Sequence, residues 1–457
     1  MSDQLILLAY PKIDHEKDYV YSWMPFSLLT IAKPLLDAGI QVIIFDGNQR
    51  GTDSWEALLA QYASNAAAIG MSIMTGGGQI AHALELASKA RANPDCPPLV
   101  FGGPHVNVLA AETLQHPLVD AVIRGPGQNA IVPFVQALNN SALRTLVPGL
   151  SMKIGNGIVH GPDNPPRVEQ LGAYPWDLLP VEQYIRKDPG IADRTLNYVS
   201  SQGCVYKCKF CYELTYERKY SAMGAEHLLN DIEHLCRTYC LSGIKFYDAD
   251  FFINLRRANL FAQGLVARGL QIAWAASINP NDVRKARRLQ PDLLANLAAS
   301  GCCRLLMGVE SGSDRVLSEI IQKEITATEI EAVAEEIASY GIRGSYTFIV
   351  GFPGETTADE DATYRLIDRL QRLTPIPETR VHLFAPYPGT PLFTTALQHG
   401  FKPPQNLEGW SRYDYYESLT PWTNDATVRR AREHTRMVLH PTQGVLQPAL
   451  STKGSSG

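Results

Sequence analysis

Short apolar runs alternate with amphipathic stretches over residues 1–146. Runs rich in valine and isoleucine predict strands over 4–10, 41–46, 67–73, 99–102 and 120–123, and the periodic apolar positions between them predict helices such as 26–37 and 79–92. Strands that are separated by single helices form a parallel sheet covered on both faces. Residues 1–146 are therefore predicted to be a doubly wound, Rossmann-like α/β domain.

A second alternating series follows residues 147–190, which are rich in proline and glycine and are predicted to be a linker. Six further runs predict strands over 196–201, 244–248, 271–277, 304–309, 344–351 and 381–385, with helical patterns between them. This favours a partial (β/α)6, TIM-like barrel over residues 191–400, and the pattern leaves the closure of the barrel open. Residues 401–457 begin with several aromatic side chains and are predicted to be a small C-terminal cap and tail.

Glycine and polar residues follow several strands of the first series. Parallel sheets bind ligands at the carboxyl ends of their strands. Any single glycine there is equally consistent with a strand cap, but four glycine-bearing strand ends on one edge favour a large, flat ligand that approaches the backbone. The residues at this edge are Asp46, Ser72, Met74, Thr75, Gly102, Gly103, Pro104, His105 and Gly125.

Three of the eight cysteines lie within eight residues, as Cys204, Cys208 and Cys211, after the first strand of the second series. Three neighbouring thiolates need a cation, and sulfur ligands favour zinc or an iron–sulfur cluster. A structural zinc ion needs a fourth ligand. Cys236, Cys240, His227 and His234 are near enough in sequence, but the helical spacing of the two cysteines is typical of buried apolar positions. Three cysteines leave one iron of a [4Fe–4S] cluster open to another ligand.

The C-x3-C-x2-C loop after the first strand of a partial barrel resembles the radical S-adenosylmethionine (SAM) superfamily. Residues 246–251, 308–312 and 348–355 resemble its further motifs in order and spacing, so the resemblance covers about 196–391. It implies a [4Fe–4S] cluster on the three cysteines and SAM that is cleaved to a 5′-deoxyadenosyl radical. The arginine that many relatives carry near Ser277 is absent. The resemblance implies SAM contacts at Phe210, Tyr212, Asp248, Asp250, Ser277, Glu310, Ser311 and Gly351.

The first domain resembles the cobalamin-binding domain that often precedes such barrels, and the nine residues at its sheet edge would then contact cobalamin. The D-x-H-x-x-G motif that supplies a cobalt-ligating histidine elsewhere is absent, and His105 lies in a different loop. The loop that usually reads Gly-Glu-Gly-Glu is Gly125-Pro126-Gly127-Gln128 here. The resemblance therefore implies bound cobalamin without a histidine ligand from that motif.

Together the resemblances imply a cobalamin-dependent, class B radical SAM methyltransferase. It would transfer a methyl group from SAM, through methylcobalamin, to an unactivated carbon or phosphorus of a small-molecule, natural-product or peptide substrate between the two domains. The alternatives are a cobalamin-dependent cyclase or rearrangement enzyme without net methyl transfer, and a non-catalytic cobalamin sensor. Tyr206, Asp250 and His382 are the candidate catalytic residues, and each has a structural role as its alternative.

Composition limits the partners. Lys plus Arg is 41 and Asp plus Glu is 46, which gives a net charge of −5 without any long run of like charge. We therefore expect no nucleic-acid partner, and the absence of a long apolar run predicts no membrane span. Eight cysteines in a long chain without an export signal are poor evidence for disulfides, and they predict a cytoplasmic protein. A monomer is expected, and the resemblance implies a flavodoxin- or ferredoxin-type electron donor.

Overall fold

A computed structural model describes residues 4–13, 23–49, 54–165, 171–374, 378–413 and 420–435. The strands are β1 (Leu5–Tyr10), β2 (Gln41–Asp46), β3 (Ala66–Ser72), β4 (Leu99–Gly102), β5 (Ala121–Ile123), β6 (Leu150–Ile154), β7 (Gly157–His160), β8 (Arg186–Asp188), β9 (Ala192–Tyr198), β10 (Ser201–Gly203), β11 (Tyr220–Ala222), β12 (Gly243–Phe246), β13 (Ala273–Ile278), β14 (Cys302–Glu310), β15 (Arg343–Val350) and β16 (Glu378–Leu383). The helices are α1 (Phe26–Asp37), α2 (Trp55–Tyr62), α3 (Gly78–Arg91), α4 (Pro104–Gln115), α5 (Gly127–Asn139), α6 (Ala225–Tyr239), α7 (Leu255–Ala267), α8 (Pro280–Leu289), α9 (Leu293–Ala299), α10 (Ala327–Ser339), α11 (Thr357–Gln371), α12 (Pro391–Gln398), α13 (Leu407–Ser411) and α14 (Asp425–His434).

The first sheet has the strand order β2-β1-β3-β4-β5-β6-β7. All five predicted strands form, and β1 to β5 pair in parallel. Every residue of β1 is buried, because α1 and α5 cover one face of the sheet and α2, α3 and α4 cover the other. The doubly wound domain is therefore confirmed, with its loops between strands and helices gathered at the carboxyl edge.

The segment predicted to be a linker also contributes to this sheet. The antiparallel hairpin β6–β7 pairs with β5 and turns at Gly155, whose φ is +56°. The density of glycine and proline in this part of the sequence conceals a short strand pair, because a tight turn and a linker use the same residue types. The first sheet thus continues past residue 146.

The second sheet has the order β16-β15-β14-β13-β12-β9-β8, and six of its strands run parallel. The edge strand β8, which the sequence pattern does not reveal, pairs antiparallel with β9. The contacts of Arg304 on β14 show that the sheet is strongly curled. Its guanidinium lies 3.6 Å from Asp188 on the edge strand β8 and 3.2 Å from Glu378 on the edge strand β16. This confirms a partial barrel.

An aromatic cluster joins the two domains. The ring of Phe26, at the start of α1, lies 5.1 Å from Tyr174 and 6.1 Å from Tyr198 at the end of β9. Trp176 packs against the same rings and donates a hydrogen bond from Nε1 to Asp231 at 2.8 Å. Phe26 follows the carboxyl edge of the first sheet and Tyr198 ends a barrel strand, so these buried contacts bring the two carboxyl edges face to face.

The described residues that follow the barrel touch both domains. The backbone N–H of Gly77 donates to the carbonyl of Trp410 at 3.0 Å, so α13 packs against α3 of the first domain. The helix α14 lies along β16, where Thr379 Oγ1 donates to the carbonyl of His434 at 2.9 Å. Part of the predicted cap and tail, residues 414–419 and 436–457, lies outside the described residues. The described helices include none that is long and apolar enough to cross a bilayer.

Candidate functional site

A cavity of about 270 Å³ opens between the two domains at their facing carboxyl edges. Its deep end is apolar and reaches Leu8 and Val100 in the first sheet. Its barrel side is formed by Val199, Ser201 and Gln202, which follow β9. Five of the nine residues predicted to contact cobalamin line it, namely Ser72, Gly102, Gly103, Pro104 and Gly125.

Two of these glycines have backbone conformations that other residues avoid. Gly103 has a φ of +95°, and a Cβ there would lie 2.8 Å from the carbonyl oxygen of Ile73. Gly125 has a φ of +78°, and its N–H donates to Asn107 Oδ1 at 2.8 Å. Asn164 donates from Nδ2 to the carbonyls of Arg124 and Pro126, so it fixes the loop that lacks the usual glutamates. The cavity wall at this edge is therefore preformed backbone.

The other four predicted cobalamin contacts do not line this cavity. Met74 is exposed, and Thr75 is buried. His105 is fully buried with its ring edge-on to Trp410, and burial lowers the pKa of its imidazole to about 4. The carboxylate of Asp46 accepts hydrogen bonds from Asn48 and from the hydroxyl of Tyr184. His105 thus packs against Trp410, and Asp46 is hydrogen-bonded within the protein.

The cysteine loop is fixed at both ends. Gly203, just before it, has a φ of +81°, and a Cβ there would meet the carbonyl oxygen of Lys219 at 2.1 Å. Within the loop, Cys211 N–H donates to the Cys208 carbonyl at 3.0 Å. Lys209 bonds through its backbone to Ile321 and Leu392. The short β10–β11 hairpin and these contacts hold the three thiols at the carboxyl edge of the barrel.

The environment of the thiols fits a positively charged group. Burial raises the pKa of Cys204 to about 12 and also raises those of Cys208 and Cys211. Buried thiols remain protonated and inert unless a cation stabilises their thiolates. In the described parts of the chain, no three His, Cys, Asp or Glu side chains converge on the position of a single metal ion. The donor set suits ligands of separate irons in one cluster.

A buried ion pair lies beside this loop, and sequence reasoning missed one of its members. Lys323 is 5% exposed, and its Nζ lies 3.2 Å from Glu310 Oε1. Glu310 has a φ of +69°, which turns its carboxylate back toward Gly308. Burial opposes the charge on Lys323, but Glu310 and the Cys208 thiolate outweigh it and raise the pKa of the lysine. The position of Lys323 between the apolar residues Ile321 and Ile325 is the feature of the sequence that could have indicated its burial.

Three of the predicted SAM contacts have structural partners. Asp248 is buried and accepts hydrogen bonds from Ser200 and Ser201, which lie between β9 and the cysteine loop. Ser311 is fully buried and bonds Thr363 Oγ1 at 3.0 Å. Tyr212 accepts a hydrogen bond from Asn107 of the first domain at 2.9 Å. These residues position the strand ends and the domain interface.

The glycine motif after β15 forms a compact turn. The N–H groups of Gly351 and Phe352 donate to Glu355 Oε2 at 2.6 and 3.0 Å. Burial raises the pKa of Glu355 to about 7. Phe210 of the cysteine loop lies 5.9 Å from Phe352. The structure therefore brings this motif and the cysteine loop together.

Two of the three candidate catalytic residues meet in a polar cluster. Tyr206 donates a hydrogen bond to Asp282 and accepts one from Lys285 at 2.7 Å. Asp250 lies next to Asp282, and burial together with that carboxyl raises the pKa of Asp250 well above its usual value. His382 lies on a different strand, β16, where burial and the charge of Arg380 lower its pKa. Of the predicted SAM contacts, Ser277 is half-buried on β13.

Family models match each of the two domains of the chain. The family model described as the radical SAM superfamily matches residues 198–367, and the one described as the B12 binding domain matches residues 18–135. The chain is 27% identical over 339 residues to an uncharacterized methyltransferase of Pyrococcus horikoshii, PH0819, which covers 73% of this chain and 71% of that protein. It is 26% identical over 302 residues to the anaerobic magnesium-protoporphyrin IX monomethyl ester cyclase of Cereibacter sphaeroides, with 64% of this chain and 47% of the cyclase covered.

A solved structure shares the fold. The radical SAM methyltransferase TsrM from Kitasatospora setae, which holds cobalamin and a [4Fe–4S] cluster, superposes with a TM-score of 0.69 at 19% identity, covering 87% of this chain and 78% of that one. The fold and the two sites thus define an α/β enzyme in which a B12-binding domain precedes a radical SAM barrel. The chain belongs to the cobalamin-dependent radical SAM enzyme family.

Proposed function

We propose that this protein is a radical SAM methyltransferase that moves a methyl group from SAM, by way of cobalamin, to an unactivated carbon or phosphorus of a small molecule. The observation that carries the proposal is a cavity lined by both domains, with the cysteine loop at the same edge of the barrel. When bound, the cluster and SAM would supply one-electron chemistry and cobalamin a methyl group, a combination that only an inert acceptor requires.

The cavity residues would hold cobalamin through the backbone of the first domain. Gly102, Gly103 and Gly125 present main chain without side chains at the cavity wall, and Ser72 adds a hydroxyl there. The apolar deep end would exclude water from an aromatic portion of a bound cofactor. No histidine lines the cavity among the described residues, so the protein would leave the metal without a ligand from that wall.

The barrel residues would hold the cluster and SAM. Cys204, Cys208 and Cys211 would bind three irons. The Glu310–Lys323 pair presents opposite charges beside Cys208, which fits the zwitterionic amino-acid portion of SAM. The turn at Gly351, which is fixed by hydrogen bonds to Glu355, would receive the nucleoside.

The polar cluster of Tyr206, Asp250 and Asp282 is suited to holding a proton near the reacting atoms. Its two carboxyl groups are buried side by side, and burial together with the neighbouring Asp282 carboxyl raises the pKa of Asp250. Contacts between the domains, such as Tyr212 with Asn107 and Gln128 with Gln202, limit the entry of water. Exclusion of water protects a reactive radical from side reactions.

The proposed enzyme also needs an electron donor and a reducing compartment. A flavodoxin- or ferredoxin-type donor would deliver the electron, and the eight free thiols suit a reducing cytoplasm. We propose a monomer that acts on a small molecule or peptide and makes no contact with nucleic acid.

The test is anaerobic purification with cobalamin, reconstitution of the cluster, and incubation with CD3-labelled SAM and a low-potential reductant. The wild-type protein is expected to form 5′-deoxyadenosine and S-adenosylhomocysteine, and Cys208→Ala is expected to form no 5′-deoxyadenosine. A wild-type protein that contains iron and cobalt but forms neither product would contradict the proposal. With a substrate present, the product gains the mass of one CD3 group.

The similarity to the magnesium-protoporphyrin cyclase of Cereibacter sphaeroides supports a second candidate function, cyclisation or rearrangement without net methyl transfer. The same incubation separates the two. A product that lacks the label and has lost hydrogen or gained oxygen would favour the cyclase function.

A further inference from the structure

The inner face of the barrel sheet can be identified from the strand register. On β15, Tyr346, Phe348 and Val350 are buried on the side that carries the covering helices. The alternate residue Thr347 therefore faces the barrel lumen, which we define as the concave side of the second sheet. Residues that are paired in a parallel sheet point to the same side. Arg380 is paired with Thr347 and so faces the lumen as well.

A network of ion pairs closes the amino-terminal end of the lumen. Arg304 bridges Asp188 on β8 and Glu378 on β16, which are the two edge strands. Lys245 on β12 lies 3.5 Å from the same oxygen of Asp188, and both carboxylates are mostly buried. We call this network the lumen floor. Within it, the negative charges of Asp188 and Glu378 are compensated by Arg304 and Lys245.

Two guanidinium groups lie on the two edge strands, two residues nearer to the carboxyl edge of the barrel than the carboxylates of the lumen floor. Arg186 precedes Asp188 by two residues on the antiparallel strand β8, and Arg380 follows Glu378 by two residues on β16. Two residues advance a strand by about 6.6 Å and return to the same face. Because Arg304 touches both Asp188 and Glu378, the two edge strands that carry these arginines approach each other across the lumen.

Neither arginine forms an ion pair with a carboxylate in the described part of the chain, although the charge of Arg186 helps to lower the pKa of Asp188. Arg186 donates only to neutral groups, Asn197 Oδ1 and Tyr247 Oη, at 3.4 Å each. Arg380 is half-buried and makes no hydrogen bond or ion pair with any described residue. Elsewhere at the carboxyl edge, Glu310 is paired with Lys323, and Asp282 with Lys285. Cations that are removed from bulk water without a partner cost free energy, which an incoming anion restores.

We propose that the substrate carries an anionic group, a carboxylate or a phosphoryl group, that enters the barrel lumen and is bound by Arg186 and Arg380. The inference rests on the proposed function, which places the substrate between the domains, and it adds the chemical class of that substrate. Guanidinium groups bind both kinds of oxyanion through paired hydrogen bonds. The ion-paired network closes the lumen below the anion, so the reacting atom of the substrate would lie toward the domain interface.

Isothermal titration of the reconstituted holoenzyme, saturated with SAM in the absence of reductant, tests the proposal with inorganic phosphate and acetate as separate probes. One equivalent of either anion is expected to bind to the wild-type protein, and the tighter of the two identifies the phosphoryl or the carboxylate class. Arg186→Gln and Arg380→Gln are each expected to weaken binding at least tenfold. The matched control is Arg365→Gln, at an exposed position on α11, which is expected to bind like wild type.

Iron and cobalt contents of the two lumen variants verify that they fold. The proposal is overturned if the wild-type protein binds neither anion, or if both lumen variants bind the anions as tightly as Arg365→Gln does. Anion binding is measured without turnover, whereas formation of 5′-deoxyadenosine by the same preparation tests the proposed function. A preparation that cleaves SAM but binds no anion therefore refutes only the substrate class.

Discussion

Lys323 and Glu310 form a buried ion pair, with Nζ and Oε1 3.2 Å apart, at the point where the barrel sheet meets the cysteine loop. Both side chains are at least 90% shielded from solvent. An ion pair in such a place contributes little net stability, but removal of one partner leaves an uncompensated charge. The pair thus connects the stability of the fold with the charge of the cofactor site.

We expect Lys323→Met to lower the free energy of unfolding by about 3–5 kcal/mol and to weaken SAM binding. The matched control is Lys33→Met, because Lys33 pairs with Asp37 at the surface and such pairs contribute about 0.5 kcal/mol or less. Urea denaturation of the apo proteins measures the difference. If Lys323→Met were as stable as Lys33→Met, the buried pair would not have the role assigned to it.

Asp46 gives the protein a pH-dependent stability. Burial raises the pKa of its carboxyl group to about 6, against the hydrogen bonds from Asn48 and Tyr184. The native state therefore keeps a proton that the unfolded chain has already lost between pH 4 and 6. The free energy of unfolding consequently falls as the pH rises through this window, by about 3 kcal/mol from this group.

Asp46→Asn is expected to remove that decline and to stabilise the protein at pH 7. Asp95→Asn, at an exposed position, is the control and is expected to leave the pH profile unchanged. Urea denaturation of the apo protein at intervals between pH 4.5 and 7 gives the profile. Identical slopes for Asp46→Asn and the wild-type protein would show that the Asp46 carboxyl is ionised throughout this range.

Two adjacent glycines offer a direct comparison at the cavity wall. A methyl group on Gly103 would lie 2.8 Å from a backbone carbonyl at a φ of +95°, whereas a methyl group on Gly102 meets nothing closer than 3.8 Å. We expect Gly103→Ala to cost about 1–3 kcal/mol and to retain little cobalamin, since the loop must shift. Gly102→Ala is expected to keep wild-type stability. Thermal unfolding and cobalt content per chain check both, and equal loss in the two variants would contradict the strain argument.

The cysteine loop predicts a specific metal content. The reconstituted wild-type protein is expected to contain about four irons and one cobalt per chain. Cys208→Ser is expected to lose the iron and the cluster absorbance, whereas Cys240→Ser, at an exposed position, is expected to keep them. Iron, cobalt and zinc counts by mass spectrometry measure this. One zinc ion in place of iron would show that the loop is a structural zinc site.

The sequence missed the parts of the site that depend on distant partners. Lys323 has the appearance of an exposed lysine at the start of a helix, and only the packing of residues 316–325 against the cysteine loop buries it beside Glu310. His105 follows a glycine pair at a strand end, as a ligand-binding residue would, but α4 turns it under Trp410. In both cases the direction of the side chain is set by an element far away in the chain, which the local pattern does not show.

The sequence by itself determined the two strand–helix series, the cysteine loop and the glycine turns, because periodicity, ligand spacing and backbone freedom are properties of neighbouring residues. Only the tertiary structure decided how the carboxyl edges face each other, that the hairpin β6–β7 extends the first sheet, and which charges are paired. Asp46 meets Tyr184 across 138 positions, and Arg304 meets both edge strands only because the sheet curls. Pairing over such separations depends on packing and sheet curvature, which no local pattern of residues encodes.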